Sequence, residues 1–171
     1  MRINYNKSNL YLLFFLLIFL LSFSAWAKVP IIEMDTAKAL YVVDGDSISL
    51  SMRIKDIDTP ETKQICRKIA TEIINCGIIA KQHLQVLLNR LPGKLTIVPI
   101  STGHYGRLLV DVYKGKVNVG ETMVRDGIAF AYGDRYQIDE RHAKRKKRGF
   151  WGYHTPPTSP KKWRKKHPRR F

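Results

Sequence analysis

Ten residues, Arg53-Ile-Lys-Asp-Ile-Asp58-Thr-Pro-Glu61-Thr62, carry a cation, carboxylates and a forced change of backbone direction in one short run. Polar and apolar residues alternate from Arg53 to Ile57, which suits a half-buried strand. Pro60 cannot extend a ladder and pushes Thr59 towards an extended conformation. The strand is therefore expected to end near Asp58, with Glu61 just past the bend. Groups at a strand end beside a loop are held by a rigid scaffold and stay open to a ligand. Two further pieces stand apart in the chain: Asp44-Gly45-Asp46-Ser47 between apolar runs, and His104-Tyr105-Gly106-Arg107 ahead of Leu-Leu-Val.

These residue types suit work on a phosphodiester. Such an ester carries a charge that repels a nucleophile, and more charge builds on its oxygens in the transition state. Hydrolysis needs cations aimed at those oxygens, a metal or its equivalent, and a group that activates water. Asp46 and Asp58 are candidate ligands for a hard divalent cation, which takes oxygen donors; Asp-Gly-Asp is also the composition of an ordinary turn. In that turn Asp44 reads as the turn residue, and Asp56 reads as an exposed strand residue. Glu61 is the candidate general base, with a solvated loop residue as the alternative. Arg53 and Arg107 are the candidate phosphate clamp, because guanidinium stays charged and forms paired hydrogen bonds to phosphate oxygens; an isolated strand arginine also serves as a surface ion pair. Tyr105 is placed to touch a nucleotide or to pack, and Tyr132 is a candidate lining for a base pocket. The five histidines show no ligand or dyad spacing, and there is no Gly-rich phosphate loop.

The Asp-Gly-Asp, Asp-Thr-Pro-Glu-Thr and Tyr-Gly-Arg pieces, in this order, resemble the thermonuclease (staphylococcal nuclease-like) family over roughly Lys38 to Trp151. The resemblance implies an α+β fold: a five-stranded OB-type β-barrel with three helices. It implies Ca²⁺ held by the carboxylates of Asp46 and Asp58 and the carbonyl of Thr59. It places Glu61 as base and Arg53 and Arg107 on the scissile phosphate, and puts Tyr105 at the nucleotide. The activity implied is endonucleolytic cleavage of DNA and RNA leaving 3′-phosphates. The alternative is an OB-type barrel that binds nucleic acid without cutting it. Two features depart from the family pattern. Only six residues separate Asp46 from Arg53, so the hairpin between them must be very tight, and Gly103-His104 precede Tyr105.

The elements that must position these groups follow from pattern. Strands are expected over 39–43, 47–50, 51–57, 94–100 and 108–113. A helix is expected over 78–91, from Ala80, Leu84, Leu87, Leu88 and Leu91 at helical spacing, stopped by Pro92-Gly93. Asn118 is a candidate cap for a short helix to Arg125 with Gly127 at its end, and 138–148 reads as a last, basic helix.

Charge divides the 171-residue chain. Residues 141–171 hold thirteen Lys and Arg and no acid, whereas 28–140 hold 15 basic against 14 acidic residues. A cationic end of this kind favours polyanions, nucleic acid above all. Residues 155–171, with four prolines, are expected to form a basic tail without packed structure. At the other end, a polar start, an apolar run from Leu10 to Phe23 and Ala25-Trp26-Ala27 give the layout of a signal peptide cleaved near Ala27. The apolar run is short of the ~18–20 residues that span a bilayer; an uncleaved membrane anchor is the alternative. The folded domain is then 28–154, periplasmic or secreted, with no obligate protein partner and monomeric. In an oxidising compartment Cys66 and Cys76 should pair.

Overall fold

The computed structural model describes residues 40–103 and 106–168; the leader 1–27 and Tyr105 lie outside them. The chain opens with a hairpin of β1 (Leu40–Val42) and β2 (Ile48–Leu50) around the Asp-Gly-Asp-Ser turn. After Ser51 it runs straight into β3 (Met52–Ile54), which lies parallel to β8 (Leu108–Lys114). The expected strand 51–57 is broken by a turn at Lys55-Asp56, where Asp56 takes φ 60°. Asp56 is thus a turn residue and half-buried, bonded to Lys55 through both carboxylate oxygens. The chain resumes as β4 (Ile57–Asp58), paired with β10 (Phe130–Ala131).

β5 (Ile65–Arg67) and β6 (Ile73–Asn75) form a second hairpin that leads directly into α1 (Cys76–Arg90). Asn75 caps α1 by accepting from the Ile78 amide at 2.9 Å. The Cys66–Cys76 disulfide staples β5 to the first residue of that helix. β7 (Leu95–Thr102) pairs antiparallel with β8, and β9 (Val117–Asn118) pairs with the other end of β8. Asn118 then caps α2 (Val119–Arg125), accepting from Glu121 N at 3.0 Å. Gly127 beyond it sits at φ 71°, with its amide on the Val124 carbonyl. After β10 come α3 (Gln137–Arg145), a 3₁₀ turn (Gly149–Gly152) and α4 (Pro160–Lys166).

The α+β class holds, but the hydrogen bonding differs from a five-stranded closed barrel with three helices. Among the described residues the strands fall into one four-stranded and three two-stranded sheets, with four α-helices. The tight spacing from Asp46 to Arg53 gives the reason. A full return hairpin cannot fit there, so β2 and β3 follow one another and pair with different neighbours. The core lies between Leu108, Val110 and Val112 of β8 and Val119, Met123 and Val124 of α2, closed by Ala80 of α1, Ile57 and Phe150. Burying side chains of this size is worth about 1.5–3 kcal/mol each, enough to make β8 and its neighbours a firm platform.

Residues 155–168 also depart from expectation. Thr155 forms a two-way backbone bridge with Arg67 at 3.2 and 2.9 Å. Pro157 and Pro160 are buried. The prolines read as marks of an unpacked tail instead fix an extended strap and the first turn of α4, where proline is well tolerated. Among the described residues no helix is long and apolar enough to cross a membrane.

Candidate active site

Asp58 ends β4, 5 % exposed. The turn at Lys55-Asp56 folds β4 back towards β3, and this local reversal brings Arg53 to it. Arg53 Nη2 donates to Asp58 Oδ1 at 2.8 Å and to the Ile57 carbonyl at 3.3 Å. Thr59 is half-buried and Pro60 buried, as expected of a strand end locked by proline. Glu61 follows in a tight turn whose carbonyl accepts from the Gln64 amide at 2.7 Å. The Glu61 amide donates to the Gln64 side chain at 3.2 Å.

Two residues that steady this turn carry no chemistry of their own. Gln64, 1 % exposed, also donates through Nε2 to the Thr158 carbonyl at 2.6 Å. Gly77, second residue of α1, packs so closely that a β-carbon there would fall on the Glu61 carbonyl. The disulfide at Cys76 holds that helix start in place.

The largest departure from the sequence reading is Arg164 of α4. Its Nη2 donates to Asp58 Oδ2 at 2.8 Å, and its Nη1 donates to Asp58 Oδ1 at 3.1 Å and Glu61 Oε1 at 2.8 Å. One guanidinium bridges the candidate metal ligand and the candidate base. Hydrogen bonding to Asp58 and then to Glu61 raises the Arg164 pKa against the opposing cost of burial, so its charge is permanent.

The other expected residues are placed less directly. Arg107 is half-buried and leads into β8. Its carbonyl accepts from Gly103 N at 2.8 Å, which continues the β7–β8 ladder. Arg53 is the cross-strand partner of Leu109, and Arg107 lies two residues before Leu109. Asp46 makes its described hydrogen bonds within its own turn. It is exposed at the hairpin tip, where its amide donates to Asp44 Oδ1 at 3.3 Å and its Oδ1 accepts from Ser47 Oγ at 3.1 Å. Hydrogen bonds from Ser47 and Asp46 lower the Asp44 pKa. Among the described residues no group of three or more His, Cys, Asp and Glu is gathered that could hold a metal ion. Tyr132 is exposed beyond β10, its amide on the Asp56 carbonyl at 2.9 Å.

The donor set that is assembled still suits a hard cation. Asp58 and Glu61 supply anionic oxygens, and the group that now bridges them is itself a cation.

Two carboxylates and two guanidiniums at the end of β4 are groups that chemistry on a phosphate ester can use. Residues 51–153 match the family model described as staphylococcal nuclease homologue. The chain belongs to that family. It is 31% identical over 133 residues to endonuclease YncB of Bacillus subtilis (strain 168), covering 70% of this chain and 58% of that protein. It is 28% identical over 147 residues to an uncharacterized endonuclease of Haemophilus influenzae, covering 78% of this chain and 75% of that protein. It is 26% identical over 132 residues to the thermonuclease of Staphylococcus hyicus, covering 68% of this chain and 76% of that protein. The family segment contains Arg53, Asp58, Glu61 and Arg107; Asp46 and Arg164 lie outside it.

Proposed function

We propose that this chain is an exported, calcium-dependent nuclease that hydrolyses phosphodiester bonds within DNA and RNA and leaves 3′-phosphate ends. The observation that carries the reading is the pairing of Arg53 with Asp58 at the end of β4, with Glu61 joined to Asp58 through Arg164; Arg53, Asp58 and Glu61 all lie inside the family segment. Relatives named endonuclease and thermonuclease support cutting within strands.

Asp58 and the Thr59 carbonyl are the groups that would hold Ca²⁺, with Asp46 brought in from the neighbouring hairpin. Bound calcium would supply positive charge against the phosphate and make water more acidic. Glu61 lies past the bend, in reach of a water at the same position, and takes its proton as that water attacks phosphorus. Arg53 and Arg107 hold the non-bridging oxygens, where charge grows in the transition state. The basic residues of 141–171 add affinity that does not depend on sequence and weakens with salt. Secretion or transfer to a periplasm after cleavage near Ala27 completes the reading; N-terminal sequencing of the mature protein tests it, and an intact leader would replace export by anchoring.

The test of the activity is degradation of plasmid DNA and of RNA with calcium, with chelator, and after adding back calcium, magnesium or manganese. Calcium-dependent nicking that chelator abolishes is expected. Binding without cleavage under every ion would convert the reading to a non-catalytic nucleic-acid-binding module.

A further inference from the structure

We propose that Arg164 is a tethered stand-in for the divalent cation, and that α4 is a plug which the metal must displace before the site can work. This rests on the nuclease reading above and adds a regulation to it.

The geometry is that of an occupied cation site. Three hydrogen bonds of 2.8–3.1 Å run from one guanidinium to two carboxylates that the reading assigns to metal binding and to the base. Asp58 Oδ1 already accepts from Arg53 as well, so both lone pairs of that oxygen are taken. Charge gives the second argument. Asp58 and Glu61 contribute two negative charges, and Arg53 and Arg164 contribute two positive ones. Among the described residues these four charges cancel. A divalent ion entering beside Arg164 would face two guanidiniums, in a place where Asp58 is shielded from solvent screening. With Arg164 gone, the same two carboxylates, one arginine, one divalent ion and one phosphate charge sum to zero.

The plug is also built to come out. α4 has seven residues, too short to be stable alone. Its Lys161, Lys162, Lys165 and Lys166 are exposed, so water receives them at little cost. It hangs on a strap held at Thr155 by Arg67 and at Thr158 by Gln64. Release beyond the buried Pro160 would leave those anchors and the Glu61 turn intact. The family segment ends at residue 153, before the strap and α4.

A plug seated in nine molecules of ten lowers apparent metal affinity about tenfold. The full chain, Arg164→Gln and Lys116→Gln are compared. Lys116 is exposed in the turn after β8 and controls for loss of one charge. Calcium affinity without nucleic acid, read by calorimetry, is expected to rise tenfold or more in Arg164→Gln and to change less than twofold in Lys116→Gln. In the wild-type chain calcium is expected to speed trypsin cleavage between Lys161 and Lys166 at least fivefold; this readout needs no variant to fold. Equal calcium affinity in wild type and Arg164→Gln, weaker affinity in Arg164→Gln, or a tryptic rate unmoved by saturating calcium overturns the plug. Should calcium-dependent cleavage of plasmid persist in those cases, the nuclease reading stands without it. Absence of cleavage by every chain under every ion would instead remove the nuclease reading itself.

Discussion

Two carboxylate–guanidinium clusters flank the turn at Lys55-Asp56, and they are made of the same parts to different ends. On one side Arg135 donates to both oxygens of Asp111 at 2.7 and 2.8 Å, reaches Asp56 at 3.7 Å and lies over the Tyr136 ring. Its partners lie on β8, in the turn and at the residue before α3, all inside the family segment. Hydrogen bonding to Asp111 raises the Arg135 pKa in spite of burial, and burial raises that of Tyr136. That cluster is closed: each charge has a permanent partner, and its work is to pin α3 against the sheet. On the other side Asp58 and Glu61 share their second arginine with a helix beyond the family segment. A closed pair holds the fold. A pair completed by a removable residue can hold something else in its place.

The comparison breaks most sharply under substitution. Glu61→Gln removes the proposed proton acceptor and Arg107→Ala half of the proposed clamp. Each is expected to lower turnover by roughly 10²–10⁴-fold with the urea midpoint nearly unchanged. Wild-type turnover in either would take that residue out of the mechanism. Arg135→Ala should do the reverse. It leaves Asp111, 8 % exposed, without its cation. Loss of a fully buried pair costs about 3–5 kcal/mol; because the Arg135 side chain is 37% exposed, about 1–3 kcal/mol is expected. Turnover per folded molecule should stay within threefold. A collapse of turnover there would show that the two clusters act as one.

A smaller effect tests the scaffold beneath the open pair. Gly77→Ala puts a β-carbon against the Glu61 carbonyl, and backbone must give way because no flexible side chain can. A stability loss of about 1–3 kcal/mol is expected. Turnover should fall about tenfold to a hundredfold as Glu61 shifts, since a misplacement near 1 Å costs that much. Unchanged kcat would mean that the position of the Glu61 backbone is not critical.

Which parts of this were legible in the sequence follows from distance along the chain. Arg53 and Asp58 meet, with Glu61 just past the bend, because one turn and one proline act within nine residues, and local rules govern that range. The α1 stripe, the Asn118 cap and the left-handed Gly127 were readable for the same reason. Arg164 meets Glu61 across 103 positions, where no local pattern operates. One signal was present: Ser159-Pro160 ahead of a run of good helix formers is a helix start. Overall tail composition outweighed it. The strands β4, β5, β6, β9 and β10 have two or three residues each. Such strands exist by virtue of the partner they pair with, and alternation cannot be read over so few residues. Asp46 shows the converse. Its motif predicted the turn correctly, but a turn motif does not say what the turn faces.

The smallest effect separates the rest of α4 from Arg164. Lys161, Lys162, Lys165 and Lys166 are exposed and touch neither carboxylate through any ion pair among the described residues. If they meet the phosphate backbone while Arg164 alone plugs the site, changing all four to Gln should leave calcium affinity within about twofold. The slope of log affinity for single-stranded DNA against log salt should become shallower by up to about 3, at roughly 0.7 per lost phosphate contact on a single strand. Titrations of a fluorescent oligonucleotide between low and moderate salt give that slope directly. An unchanged slope would place the contacts of the basic tail elsewhere, on residues 141–148. A large gain in calcium affinity would show that the charge of the whole helix, and not the fork of one arginine, keeps the metal out.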